Sequence, residues 1–246
     1  MIPALILLFW YSLLAIPVAV IGIPWRFLTG NVMPLWRMSL WLVRSGFRLA
    51  GIRVDVAGRE LVPTGQACIY MSNHISNMDP PVLVSALPGR TSVFLKRSLM
   101  KIPLLGWGMK AAEFVPVDRA GKLESARESV QAASRLIASG VPITTFVEGT
   151  RSRDGRMKSF KKGPFFLAME TGAPVVPVSI WGTDSLMPVG SMKVIPGLAH
   201  VRFHEPLWPK DFETREALME ATRASIASAL PGWMTDQSDR SSTATT

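Results

Sequence analysis

A chain of 246 residues suffices for one large domain or two small ones. Net charge of +9, 48% hydrophobic residues and a mean hydropathy of +0.25 point to an anionic membrane surface, nucleic acid or an anionic substrate as partner. One cysteine, Cys68, excludes an intrachain disulfide and fits a reducing compartment.

Residues 2–25 contain no charged side chain, long enough as a helix to cross a hydrocarbon core of about 30 Å. No basic stretch precedes them and no clear small-x-small cleavage site follows, so the segment is expected to be retained. Pro17 and Pro24 argue against a straight helix, leaving a kinked span or a segment embedded in one leaflet.

Residues 26–53 hold Arg26, Arg37, Arg44, Arg48 and Arg53 and no acid. If the first segment spans, this arginine excess puts the remainder of the chain in the cytosol. Residues 34–50 read as a helix on which Arg37, Arg44 and Arg48 share an arc of about 40°. Leu35, Trp36, Met38, Trp41, Leu42 and Phe47 cover much of the remainder. The pattern predicts an interfacial helix on anionic lipid, with a core helix bearing a solvated arginine face as the alternative. Residues 1–50 are therefore expected to form a membrane-associating helical segment.

From Gly51 onward, short apolar runs alternate with helical stretches. Strands are expected at 52–56, 67–71, 92–95, 114–117, 143–147, 175–180 and 200–203. Leu123, Ala126, Val130, Ala133 and Ile137 share one helical face, and Gly140 follows as a stop. Further helices are expected over 164–172, with Pro and Gly at its ends, and over 211–230. This alternation argues for an α/β domain over residues 51–232, a central β-sheet flanked by helices. The polar, Ser/Thr-rich stretch 233–246 is expected to be a disordered tail.

The chemistry sits at the ends of these runs. Ser72-Asn73-His74-Ile75-Ser76-Asn77-Met78-Asp79-Pro80 puts a histidine five residues before a carboxylate. Such a pair can serve as an oriented general base near neutral pH. Asp79 before Pro80 also reads as a helix cap. The run 114–117 leads into Asp118 and Arg119, whose guanidinium can hold a phosphate at a strand end or pair with Asp118 or Glu113. The next run leads into Glu148-Gly149-Thr150-Arg151, an acceptor, a turn residue, a hydroxyl and a cation. Arg153, Arg156, Lys158, Lys161 and Lys162 follow against one acid, Asp154, giving either a solvated basic loop or one facing anionic head groups. Residues 175–180, Val-Val-Pro-Val-Ser-Ile, read as a buried strand.

In order and spacing, these four blocks resemble the four motifs of the glycerolipid acyltransferase family, over about residues 53–180, and the chain length fits its small bacterial members. Val147 stands where the family usually has proline, which bears on loop geometry rather than on a reacting group. The resemblance implies transfer of an acyl group from a thioester, acyl-CoA or acyl-acyl carrier protein, to the sn-2 hydroxyl of lysophosphatidic acid, giving phosphatidic acid. His74 would be the base and Asp79 its partner. Arg119, Glu148, Gly149, Thr150 and Arg151 would form the acceptor site, with Lys96 a second candidate for the phosphate. It further implies no metal and no cofactor beyond the acyl donor. The expected partners are an anionic bilayer, its lysophosphatidic acid and the acyl donor, at a bacterial inner membrane with the catalytic domain in the cytosol.

Other acceptors with the same chemistry stay in play: another lysophospholipid, a lyso-ornithine lipid or glycerol 3-phosphate. A covalent route through Cys68 or a serine lacks the Gly-x-Ser-x-Gly elbow. His200, His204 and Glu205 are the alternative for a metal site. A non-enzymatic binder of membranes or nucleic acid is the alternative of another class; the uncharged first segment and the lack of a nucleic-acid motif argue against nucleic acid.

Overall fold

The computed structural model describes residues 2–118 and 123–235. Among them a seven-stranded sheet is built from β1 (Ile52–Ala57), β2 (Ile69–Ser72), β3 (Ser92–Lys96), β4 (Val115–Val117), β5 (Ile143–Phe146), β6 (Val175–Trp181) and β7 (Gly197–Phe203), in the order β1-β7-β6-β2-β5-β3-β4. All pairings are parallel except β6 with β7, so β1 and β7 run against the other five. The expected α/β architecture is present. Each strand falls within a few residues of its apolar run, because strands covered on both faces need near-continuous apolar sequence.

Both faces are covered. Cys68, Tyr70, Val176, Val178 and Ile180 point to one side, where they meet α3 (Asp79–Ala86) and the ends of α1 (Ile2–Thr29) and α2 (Met33–Leu49). Ile69, Met71, Ile143 and Val175 point to the other, toward α5 (Leu123–Ala138), α6 (Lys162–Thr171) and α8 (Arg215–Ala229). Two short helices, α4 (Leu105–Ala111) and α7 (Thr183–Leu186), follow the C-terminal ends of β3 and β6, and α9 (Gly232–Thr235) follows α8. Helix starts and stops follow local chemistry. The Thr214 hydroxyl accepts from the Ala217 amide at 3.1 Å to cap α8, and Gly172 ends α6 in the left-handed region.

α1 is a single helix that includes Pro17 and Pro24. In its N-terminal half Trp10 donates to the Ser45 hydroxyl at 3.0 Å, and Leu7 enters the core beside Phe47 and Ala50. Two expectations are modified. On α2 the apolar residues Leu35, Trp36, Leu42 and Phe47 are buried within the protein, while Arg37, Arg44 and Arg48 stay exposed. Arg44 also donates to the Ser85 carbonyl at 2.7 Å, and Arg59 to that of Ala86, so two cations close the C-terminal end of α3. Finally, residues 233–235, expected to begin a disordered tail, belong to the fold. Residues up to Thr235 are helical and Met234 is buried against Met157, whose amide donates to its carbonyl at 2.8 Å; residues 236–246 lie outside the described residues.

Candidate active site

The five strands that run together deliver their C-terminal ends to one edge of the sheet, and the chemical residues follow those ends. β2 leads into His74, β3 ends on Lys96, β5 leads into Glu148 and β6 into Thr183.

His74 Nδ1 lies 2.7 Å from Asp79 Oδ2, and both residues are buried, Asp79 completely. The same oxygen accepts from the backbone amides of Ile75 and Ser76, each at 2.7 Å. The other oxygen, Oδ1, accepts from the hydroxyl of Thr183. Asp79 therefore faces back into the turn that carries the histidine, and the expectation that it caps α3 is corrected. The helix does start there, with proline in its first turn, but the carboxylate serves the preceding loop. With Nδ1–H donated to a carboxylate, Nε2 is the basic nitrogen. The imidazole stacks on Phe146, ring centroids 4.2 Å apart and planes at 23°, which fixes its second rotational freedom.

The backbone of His74 is gripped as well. Its amide donates to Glu148 Oε1 at 2.8 Å, and its carbonyl accepts from the Ser152 amide at 2.8 Å. Glu148 Oε2 accepts from the Lys158 amide at 2.9 Å. Glu148 is buried, and burial pushes its carboxyl up to about 7, against the opposing pull of those two amides. Both its oxygens are thus spent on backbone, tying the His74 turn to the basic loop.

Gly149, at φ +71°, makes the turn out of β5. The Thr150 hydroxyl and the Arg151 carbonyl accept from the Lys158 ammonium at 3.3 and 3.4 Å. The Arg151 guanidinium pairs with no acid among the described residues. Lys96 is exposed at the end of β3. Arg119 lies outside the described residues.

Two supporting residues escaped the sequence reading. Asn73 is fully buried; its Nδ2 donates to the Ile180 carbonyl and its Oδ1 accepts from the Ile180 amide, both at 2.8 Å. It continues the pairing of β2 with β6 in side-chain form. A polar amide directly after a buried strand was the available signal. Thr183 follows Gly182, whose φ is +82° and whose Cβ, if present, would lie 2.7 Å from the Leu198 carbonyl oxygen. Only glycine fits that turn, and the turn aims Thr183 at Asp79.

The candidates for other chemistry are otherwise engaged. Cys68 is buried in the sheet and burial pushes its thiol up to about 11, the reverse of an activated nucleophile. His200 lies 3.1 Å from Asp55 and stacks on Trp181, while His204 meets the Ser179 hydroxyl at 2.8 Å.

A buried, carboxylate-oriented histidine at the C-terminal edge of an α/β sheet defines a general-base site. The acyltransferase family model matches residues 53–181, and the chain belongs to that family. Among solved structures it is similar to the 1-acyl-sn-glycerophosphate (LPA) acyltransferase PlsC from Thermotoga maritima, with a TM-score of 0.75 and 31% identity, covering 90% of this chain and 92% of that one. The chloroplastic 1-acyl-sn-glycerol-3-phosphate acyltransferase BAT2 of Brassica napus is 36% identical over 159 residues, 63% of this chain and 45% of that one. The 1-acyl-sn-glycerol-3-phosphate acyltransferase of Borreliella burgdorferi is 32% identical over 149 residues, 61% and 56% of the two chains. The chain spans about half the length of the curated relatives it matches.

Proposed function

We propose that this protein transfers an acyl group from acyl-CoA or acyl-acyl carrier protein to the sn-2 hydroxyl of lysophosphatidic acid, giving phosphatidic acid. The observation that carries the reading is the buried His74–Asp79 pair with Nε2 left as base. Nε2 takes the hydroxyl proton as the oxygen attacks the thioester carbonyl. The tetrahedral intermediate collapses, the C–S bond breaks, and the thiolate leaves with the proton returned by the imidazolium. A positioned base contributes about 10²–10⁴-fold to such a step, and in-line placement of both substrates adds to it. Asp79 holds the tautomer and stabilises the imidazolium. Arg119, Arg151, Thr150 and Lys96 serve the acceptor phosphate, while Gly149 shapes the loop and Glu148 supports the His74 turn. The thioester is the only co-substrate this chemistry needs.

The membrane reading rests on α1. It has a mean hydropathy of 2.5 over its most apolar stretch and is long enough to cross a bilayer. Both its ends nevertheless touch the catalytic domain, Leu7 in the core and Arg26 paired with Glu113 at 2.8 Å. Its exposed apolar residues, among them Leu5, Leu8, Phe9, Leu13, Ile16, Val20, Ile21 and Trp25, cover most of its circumference. The contacts at both ends favour a helix lying along the domain and embedded in one leaflet. On this reading the protein sits on a bacterial cytoplasmic membrane with its catalytic domain in the cytosol, where the thioester donors are.

The test is purification in detergent, with His74→Ala in parallel, and incubation with lysophosphatidic acid and labelled acyl-CoA. Phosphatidic acid from the parent and at least 100-fold less from the variant is the expected result. A folded parent with no product on acyl-CoA or acyl carrier protein would move the acceptor to another lyso-lipid, and a variant as active as the parent would overturn the mechanism.

A further inference from the structure

We infer that residues 97–110, between β3 and β4, form a second lipid-contact surface that seats the catalytic domain on an anionic bilayer; the inference rests on the membrane reading of α1. The segment leaves Leu99, Ile102, Leu105 and Trp107 at 36%, 45%, 47% and 62% exposure. Large apolar side chains grouped in this way mark an interaction site rather than ordinary surface.

The side chains are held outward by built backbone. A 3₁₀ turn (Arg97–Lys101) leads into α4 through Leu104, a non-glycine residue at φ +63°. The Gly106 amide donates to the Ile102 carbonyl at 2.7 Å, and a Cβ on Gly106 would lie 2.1 Å from the Met100 carbonyl oxygen. The turn thus closes on itself too tightly for any residue but glycine.

Charge selects the occupant. Lys96, Arg97, Lys101 and Lys110 are exposed around the apolar group, and residues 96–112 contain no acid. Arg97 reaches Ser125 at 3.1 Å and Glu128 at 3.9 Å, whereas Lys101 and Lys110 pair with no acid among the described residues. The first acid beyond, Glu113, is already held by Arg26 and Arg90. Apolar side chains and a tryptophan interleaved with unopposed cations match the boundary between acyl chains and anionic head groups.

Position agrees with charge. α4 packs against α1, and Arg26 near the end of α1 pairs with Glu113 just beyond α4, so the exposed apolar surfaces of α1 and this segment are neighbours. The segment also follows the C-terminal end of β3, the sheet edge that carries His74. A bilayer touching α1 and this platform together would present a lyso-lipid to that edge.

The test uses the full chain with single cysteines carrying an environment-sensitive NBD probe. Cys68 is buried and its thiol is raised, so labelling goes to the introduced position. Ile102→Cys reports the platform and Phe9→Cys reports α1. Ala224→Cys, on the exposed side of α8, is the control. With phosphatidylcholine/phosphatidylglycerol vesicles, a several-fold, blue-shifted rise at 102 and at 9, and none at 224, is expected. At 102 the rise should shrink with phosphatidylcholine alone. A response at 9 with an aqueous signal at 102 would overturn the platform and leave the α1 reading standing; silence at both would overturn both. In addition, Trp107→Glu should weaken binding to these vesicles about tenfold with turnover on detergent-dispersed substrate unchanged. Unaltered vesicle affinity would count against the inference.

Discussion

The hydroxyl of Thr183 donates to Oδ1 of Asp79 across 104 positions of sequence, while Oδ2 of the same carboxylate holds His74. The His74–Asp79 pair is therefore part of a three-residue hydrogen-bonded network that joins the end of β6 to the turn after β2. Four donors converge on one buried carboxylate: the imidazole, two backbone amides and this hydroxyl. Such convergence locks the orientation of the carboxylate.

Thr183→Val keeps the shape and deletes the donor. It should lower kcat about tenfold, leave KM for the acceptor unchanged, and be rescued by Thr183→Ser. Steady-state kinetics on the three proteins checks this. A rise in KM at constant kcat would assign Thr183 to substrate binding instead.

Asp79→Asn separates geometry from charge. The amide oxygen can still accept from the Ile75 and Ser76 amides, but it cannot stabilise an imidazolium. A fall in kcat of about 10²–10⁴-fold is expected, with the folded state retained by circular dichroism. Activity near that of the parent would remove the electrostatic role.

Glu148→Gln tests the support under His74. Both carboxylate oxygens accept from backbone amides, and glutamine turns one acceptor into a donor facing an N–H. At pH 8 a loss of about 1–3 kcal/mol and a fall in kcat rather than a rise in acceptor KM are expected. The pH dependence has a definite sign. The carboxyl is raised from 4.5 to about 7 in the folded protein, so between these values the native state binds more protons than the unfolded one. Glu148 therefore contributes stability at low pH that is lost as pH rises from 4.5 through 7. Denaturant melts should show the stability gap between parent and variant changing across that window and level above it. A gap independent of pH would mean that Glu148 does not titrate there.

Much of the site was legible because it is local. His74 and Asp79 are five residues apart, and the turn between them brings the side chains together. The strands were legible for a related reason: a strand covered on both faces is apolar at most positions, as 67–71 and 175–180 are, and 143–147 is broken only by Thr144 and Thr145. The start of α3 at Asp79 could be read from Asp-Pro, yet the direction of the carboxylate could not. Cap and loop offer the same donors to a carboxylate, and packing against Thr183 chooses between them.

The amino-acid sequence by itself determined the α/β order of elements, the uncharged stretch 2–25, the histidine–carboxylate pair and the basic loop after Glu148. Periodicity, local spacing and composition carry those without any long-range contact. Only the tertiary structure decided that Thr183 and Asn73 support the His74 turn, that Glu148 spends both oxygens on backbone, that the apolar face of α2 is internal, and which few residues of α1 meet the domain. Each of these depends on which surfaces meet when strands distant in sequence pair side by side, and a side chain's partner across such a contact is set by register and packing rather than by its neighbours in the chain.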